Sequence, residues 1–260
     1  MKIPMKKSIL IVILTVAISA ISFSFVNRNS VAGASTSDTT VVSADSSFDS
    51  AAAVVTQMSE SLFNELKLDE KGLSINALEL AVKGYLQLQQ TGLLTKPLLS
   101  IVDLSQSSRD KRFYLLDIEH KKLLENTYVA HGRNSGEDIA TAFSNDLGSE
   151  KSSLGFYVTK DIYKGKHGMS LKIEGLEQGF NDNAENRSIV VHGANYVNAG
   201  RVQSNYMGRS QGCPALPNTE YKKIINEIKN GSALFIYSNN ENYLNKSQVL
   251  NSGLPTPAAS

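Results

Sequence analysis

The chain contains one cysteine, Cys213, in the stretch "GRSQGCPAL", and 21 residues before it a histidine, His192, in "SIVVHG". A thiol attacks a carbonyl only as the thiolate, and a neighbouring imidazole can take its proton. The pair therefore has the chemistry of acyl transfer through a thioester. The flanking residues suit that use. Gly212 permits close backbone approach beside the thiol. Pro214 has no amide hydrogen, so the oxyanion donors expected of this turn are the amides of Cys213 and Gly212. Gly193 lets the backbone turn after the histidine. Ser210, three residues before the thiol, can bond the imidazole or a substrate, or can only hold the turn. Composition alone favours a buried, inert thiol; the glycine and proline beside it argue for chemistry.

The thiol sits in an exported chain. Lys2, Lys6 and Lys7 precede an apolar run from Ile9 to about Val26, and Ala32-Gly33-Ala34 fits an A-x-A cleavage site. Residues 1–34 thus read as a signal peptide, and the length of the run leaves an uncleaved anchor as the alternative. The expected location is the periplasm or the extracellular cell-wall space, with membrane contact only through that segment if it stays. Its removal takes Lys2, Lys6, Lys7 and Arg28 and no acidic residue, turning a formal net charge of +1 into −3. No run of Lys or Arg remains, which argues against a nucleic-acid partner. A single cysteine allows no intrachain disulfide.

The elements that must position the pair follow from periodicity. Residues 35–50 form a polar spacer, and 51–96 a helical segment that packs on the main domain. Its second helix carries a stripe of Leu78, Ala81, Val82, Tyr85 and Leu86, with Ser74 or Asn76 as cap and Gly92 as stop. Residues 97–238 alternate short strands with Gly-rich loops: 98–105, 112–119, 123–132, 154–159, 169–173, 188–193 and 233–238. That pattern predicts a mostly β sandwich or barrel. One helix follows the cysteine, with Tyr221, Ile224, Ile225 and Ile228 buried, Asn218 or Thr219 capping and Asn230-Gly231 ending it. Residues 239–260 read as a flexible tail.

His192-Gly193 followed by Ser210-x-Gly212-Cys213 resembles the signature of the murein L,D-transpeptidases, the YkuD-type catalytic domain. "VAHGRNSGE" (Val129–Glu137), "SSLGFYVT" (Ser152–Thr159), "GKHGMSLKIEGLEQGFNDNA" (Gly165–Ala184), "IVVHGANYV" (Ile189–Val197) and "GRSQGCPALP" (Gly208–Pro217) resemble its exported subfamily with Pro-Ala after the thiol, over roughly residues 74–238. The resemblance implies an L,D-transpeptidase-like β domain acting on peptidoglycan stem peptides. Cys213 would attack the carbonyl of the L,D-bond before a terminal D-alanine. His192 would serve as base and then acid, its other ring nitrogen held by a backbone carbonyl such as that of Gly193. The resemblance implies no metal and no organic cofactor. Transfer to an amine and hydrolysis by water, an L,D-carboxypeptidase, use the same groups. A non-catalytic peptidoglycan-binding module is the reading from another class, and the intact His192/Cys213 pair argues against it.

Two positions depart from the wider family: Gln211 stands where histidine is common, and Ala215 where arginine or asparagine is common. Arg209 is the candidate to supply the missing charge to a substrate carboxylate, against a role that only braces the loop. His167, in "GKHGMS", and His131 are candidates to line the donor site, against structural roles. His120 belongs to a hairpin and to solvent. With no H-E-x-x-H and no paired cysteine, a metal site is not expected.

Overall fold

The structure, a computed structural model, describes residues 45–165 and 168–253. The expected signal peptide, residues 35–44 of the spacer, His167 and residues 254–260 lie outside the described residues. Helix α1 (Asp45–Glu65) begins before the expected Ala51. Helix α2 (Ile75–Gln90) is capped by Ser74, whose hydroxyl accepts from the Ala77 amide at 3.2 Å. It buries Leu78, Ala81, Val82, Tyr85 and Leu88, while Leu86, at the edge of that stripe, is only half-buried. Gly84 brings α2 down on the sheet. A Cβ there would stand 2.0 Å from Phe156 Cζ, and Phe156 stacks on Phe235 with ring centroids 4.1 Å apart.

The sheet has eight strands: β1 (Leu98–Asp103), β2 (Phe113–Asp117), β3 (Lys122–Thr127), β4 (Gly155–Gly165), β5 (Gly168–Gly175), β6 (Val190–Ala194), β7 (Ala215–Pro217) and β8 (Ala233–Tyr237), in the order β3-β2-β1-β8-β4-β5-β6-β7. Pairings are antiparallel except β1 with β8 and β6 with β7. The two edges nearly meet. The chain leaving β3 bridges β7 at Ala130–Ala215 and the turn before it at Gly132–Ser210. The fold is therefore mostly β and barrel-like, with a leading helical pair.

Three elements differ from the sequence reading. The strand expected to continue to Gly132 ends at Thr127, and the residues beyond it become the bridge that closes the barrel. Strand β7 is new: three residues with a proline carry no alternation, and pairing with β6 alone makes them a strand. In place of a loose tail, α4 (Glu241–Lys246) sets Tyr243 near Phe235 of β8 and α5 (Gln248–Asn251) packs on α2, burying Tyr243 and Leu250. Their anchor is polar, which hides it from a hydropathy reading. The buried Glu177 carboxylate accepts from the Phe156 amide at 2.7 Å, from the Tyr243 hydroxyl at 2.9 Å and from the Ser247 hydroxyl. Helix α3 (Tyr221–Ile228) buries the four expected side chains. Its N-cap is Glu220; Asn218, expected there, bonds the Asn195 side chain instead.

Candidate active site

Strands β6 and β7 run parallel with His192 opposite Ala215, and the His192 amide donates to the Pro214 carbonyl at 3.4 Å. Adjacent strands lie about 4.8 Å apart. This register sets Cys213, two residues before Ala215, beside the histidine. Both side chains line one cleft of about 560 Å³. His192 is 3% exposed and lies inside β6, not at its end. Its Nδ1 is 3.0 Å from the Gly193 carbonyl. A carbonyl only accepts, so Nδ1 carries a proton and the basic lone pair of the neutral ring belongs to Nε2. Gly193 does not turn the chain, contrary to expectation. It is a strand residue whose missing side chain admits α3: a Cβ there would stand 2.6 Å from Tyr221 Cδ1.

Cys213 is half-buried, with its thiol donating to the Ser188 carbonyl at 3.7 Å. Burial pushes the thiol pKa up, and the Val190 amide and the Arg187 guanidinium oppose the rise. The resting sulfur is thus a neutral thiol that needs a base. Ser210 holds the turn: its hydroxyl donates to the Cys213 carbonyl at 2.7 Å and accepts from the Gly212 amide at 3.1 Å. That bond corrects the expected role of Gly212. Its amide is spent inside the turn, while the Cys213 amide has no acceptor among the described residues. Gly212 matters through shape instead. It sits at φ +119°, and a Cβ would stand 2.9 Å from the Lys151 carbonyl oxygen.

Behind this turn lies a buried clamp. The Ser210 amide donates to the His131 carbonyl at 2.9 Å, and the Arg133 amide to the Ser210 carbonyl at 2.8 Å. The His131 ring is itself fixed, with Nδ1 accepting from the buried Arg112 guanidinium at 2.7 Å and Nε2 donating to the Gly136 carbonyl at 3.2 Å. Burial and the Arg112 charge lower the His131 pKa to about 4, so the ring is neutral.

Residues 69–237 match the family model of the L,D-transpeptidase catalytic domain. The chain belongs to the L,D-transpeptidase family. No curated protein matches it. Among solved structures, an L,D-transpeptidase from Mycobacterium smegmatis is 11% identical, with 55% of this chain and 59% of that one covered and a TM-score of 0.34. L,D-transpeptidase 3 from Mycobacterium tuberculosis is 10% identical, with coverage of 55% and 61% and a TM-score of 0.34. An L,D-transpeptidase from Stackebrandtia nassauensis is 14% identical, with coverage of 64% and 68% and a TM-score of 0.31. The chain spans about three fifths of the length of the two mycobacterial structures.

The arginines of this L,D-transpeptidase domain divide the cleft's work differently from the sequence reading. Arg209 does line the cleft, but it also donates to the carbonyls of Arg133 and Gly136 at 3.1 and 3.3 Å and stacks 4.5 Å from the Tyr206 ring centre. It braces the loop from within the cleft wall. His131 serves the buried clamp, and His120 pairs with Asp117 at the β2–β3 turn. Sequence reasoning missed Arg187, Ser188 and Tyr196, which line the cleft around the thiol. Arg187 is held by the carbonyls of Ser144 and Lys151, at 2.8 and 2.7 Å, and its charge favours the thiolate. Tyr196 is pushed up to about 12 by burial and by the Cys213 charge, so its phenol keeps its proton. The one available signal for Arg187 was its place at the mouth of the strand that carries His192. Arg133, Arg187 and Arg209 line the cleft, Arg133 paired with Glu150, and among the described residues no carboxylate belongs to its lining.

Proposed function

We propose that the protein is a peptidoglycan L,D-transpeptidase that works through a Cys213 thioester outside the inner membrane. As substrate binds, Sγ attacks the carbonyl of the L,D-bond before the terminal D-alanine while His192 takes the thiol proton. His192 then returns that proton to the leaving amine, and D-alanine departs. The Cys213 amide is the donor suited to the developing oxyanion. The arginine-lined walls favour a donor stem that brings carboxylates. An amine of a second stem then takes the acyl group.

The observation that carries the reading is the β6–β7 register, which brings His192, its Nδ1 held by a carbonyl, and the chain's one thiol into a single cleft. The exported character of the N-terminal segment fits a substrate in the cell-wall space. The test is mass spectrometry of products from purified stem tetrapeptides, with Cys213→Ala as control. D-alanine release with a joined dimer is expected. Release with a tripeptide alone would mean a carboxypeptidase, and no release would refute the assignment.

A further inference from the structure

The Cys213 sulfur meets the backbone of the neighbouring strand at two points. Its thiol donates to the Ser188 carbonyl at 3.7 Å, and the Val190 amide donates to the same sulfur. Both groups belong to the segment that enters β6. The sheet explains the second contact. The His192 amide faces β7 and donates to the Pro214 carbonyl. Strand amides alternate between the two edges, so the Val190 amide faces the same way. No carbonyl of the Gly212–Cys213 turn takes it. The sulfur stands where the next rung of the ladder would be.

A turn aims the Ser188 carbonyl. The Ser188 amide donates to the Glu185 carbonyl and the Ile189 amide to the Ala184 carbonyl, both at 2.9 Å. This is the left-handed ending usually given to glycine, and Ser188 holds it at φ +55°. No backbone amide among the described residues donates to the Ser188 carbonyl, which leaves it to the thiol. Arg187 pins the turn through the carbonyls of Ser144 and Lys151. The two backbone groups favour opposite forms of the sulfur. A carbonyl only accepts, so Ser188 binds the thiol and repels the thiolate. An amide only donates, so the Val190 contact strengthens when the sulfur becomes an anion.

We infer that Ser188 is a positioning residue whose left-handed backbone parks the Cys213 proton on a carbonyl until substrate arrives, and that the Val190 amide receives the thiolate. The inference rests on the proposed transpeptidase reading and concerns how its nucleophile is held before the first step. In that step the S–H bond breaks, its electron pair stays on sulfur, and the proton passes to His192. The Ser188 contact then turns repulsive while the Val190 contact strengthens. At rest the sulfur keeps its poorly nucleophilic form, so electrophiles and oxidants meet a less reactive group. Ser188 acts through Cys213 and exchanges no proton of its own. The titratable and charged groups around the sulfur are His192, Arg187 and Tyr196, with Arg133, Arg209 and Tyr163 also in the cleft lining. A change at position 188 alters none of them.

The test compares the whole protein with Ser188→Gly, Ser188→Asn and Ser188→Val. Glycine and asparagine keep the left-handed backbone, whereas valine opposes it. With one cysteine in the chain, the S–H stretch is a single infrared band. Wild type and the Gly and Asn variants should show it at the lowered frequency of a bonded thiol, and Ser188→Val nearer that of a free one. In Ser188→Val the iodoacetamide midpoint should fall by about half a pH unit, a roughly threefold faster reaction at pH 7. The Gly and Asn variants should keep the wild-type midpoint. Val190→Pro removes an amide hydrogen at the first residue of β6, where proline is tolerated. It should raise the midpoint, and an unmoved or lowered value would refute the Val190 half. A role confined to closing the turn would lower the melting temperature of Ser188→Val but leave its band and midpoint unchanged, which would overturn the inference. So would a wild-type band at the free-thiol frequency, or Gly and Asn variants that shift as far as Ser188→Val. If Ser188→Val does not fold, the wild-type band decides. A free-thiol band in a protein that releases D-alanine from a stem tetrapeptide would leave the transpeptidase reading intact. A bonded band without that release would remove the reading and keep only the resting contact.

Discussion

At Cys213 the opposing influences have a sign that can be measured. Burial disfavours the thiolate, while the Val190 amide and the Arg187 charge favour it, and burial is the largest. The midpoint for alkylation of Cys213 by iodoacetamide should therefore lie above that of a free cysteine, about pH 8.5. Arg187→Gln should move it higher still, because a cation near the sulfur is lost; Arg187→Lys should move it less. A midpoint below the free-cysteine value would show a preformed thiolate and contradict the neutral resting thiol. The nucleophile and its histidine were legible in the sequence because few residue types do this chemistry and glycine and proline frame them. The sources of the local field were not. Arg187 and Ser188 reach the thiol only because β6 folds back beside β7, and the loss of the Gly212 amide to Ser210 depends on a side-chain rotamer that spacing does not encode.

Among the elements, the catalytic turn and α2 rest on close backbone approach. Gly212 holds φ +119° against the Lys151 carbonyl, so Gly212→Ala should displace the turn and lower kcat/KM about 10²-fold. Its circular dichroism should remain that of the wild type; unchanged kinetics would show that the turn tolerates the side chain. Gly84 works far from the chemistry. A methyl group there meets the Phe156 ring at 2.0 Å, so Gly84→Ala should destabilise the fold by about 2–3 kcal/mol in urea titrations while activity per folded molecule holds. Wild-type stability would mean that α2 does not seat as described. The long apolar strands and both packed helix faces were legible from periodicity, since each buries one stripe or one run. Strand β7 and helices α4 and α5 were not. One is three residues defined only by its partner, and the others are held by a buried carboxylate where a hydrophobic face would have announced them.

At the scale of the whole molecule, the barrel closes through the segment that carries His131, and that closure makes stability depend on pH. His131 has a folded pKa of about 4 against 6.5 in an ordinary setting. The unfolded chain therefore binds a proton that the folded chain refuses, and stability falls as pH drops from about 6.5 to about 4, then levels off. Linkage gives about 3 kcal/mol across that window from this one group. Urea titrations at both ends should show that loss in wild type and a smaller loss in His131→Gln; equal losses would remove His131 as the sensor.

The central claim is that a Cys213 thiol and a His192 base together open an L,D-peptide bond. Its most direct measurement is the intact mass of the protein, quenched in acid during turnover of a stem tetrapeptide ending in D-alanine. The account predicts a wild-type adduct of the tetrapeptide minus D-alanine, mapped to Cys213, which is absent from Cys213→Ala and strongly diminished in His192→Ala. D-alanine release by Cys213→Ala at the wild-type rate, or an acyl group mapped to another residue, would contradict it.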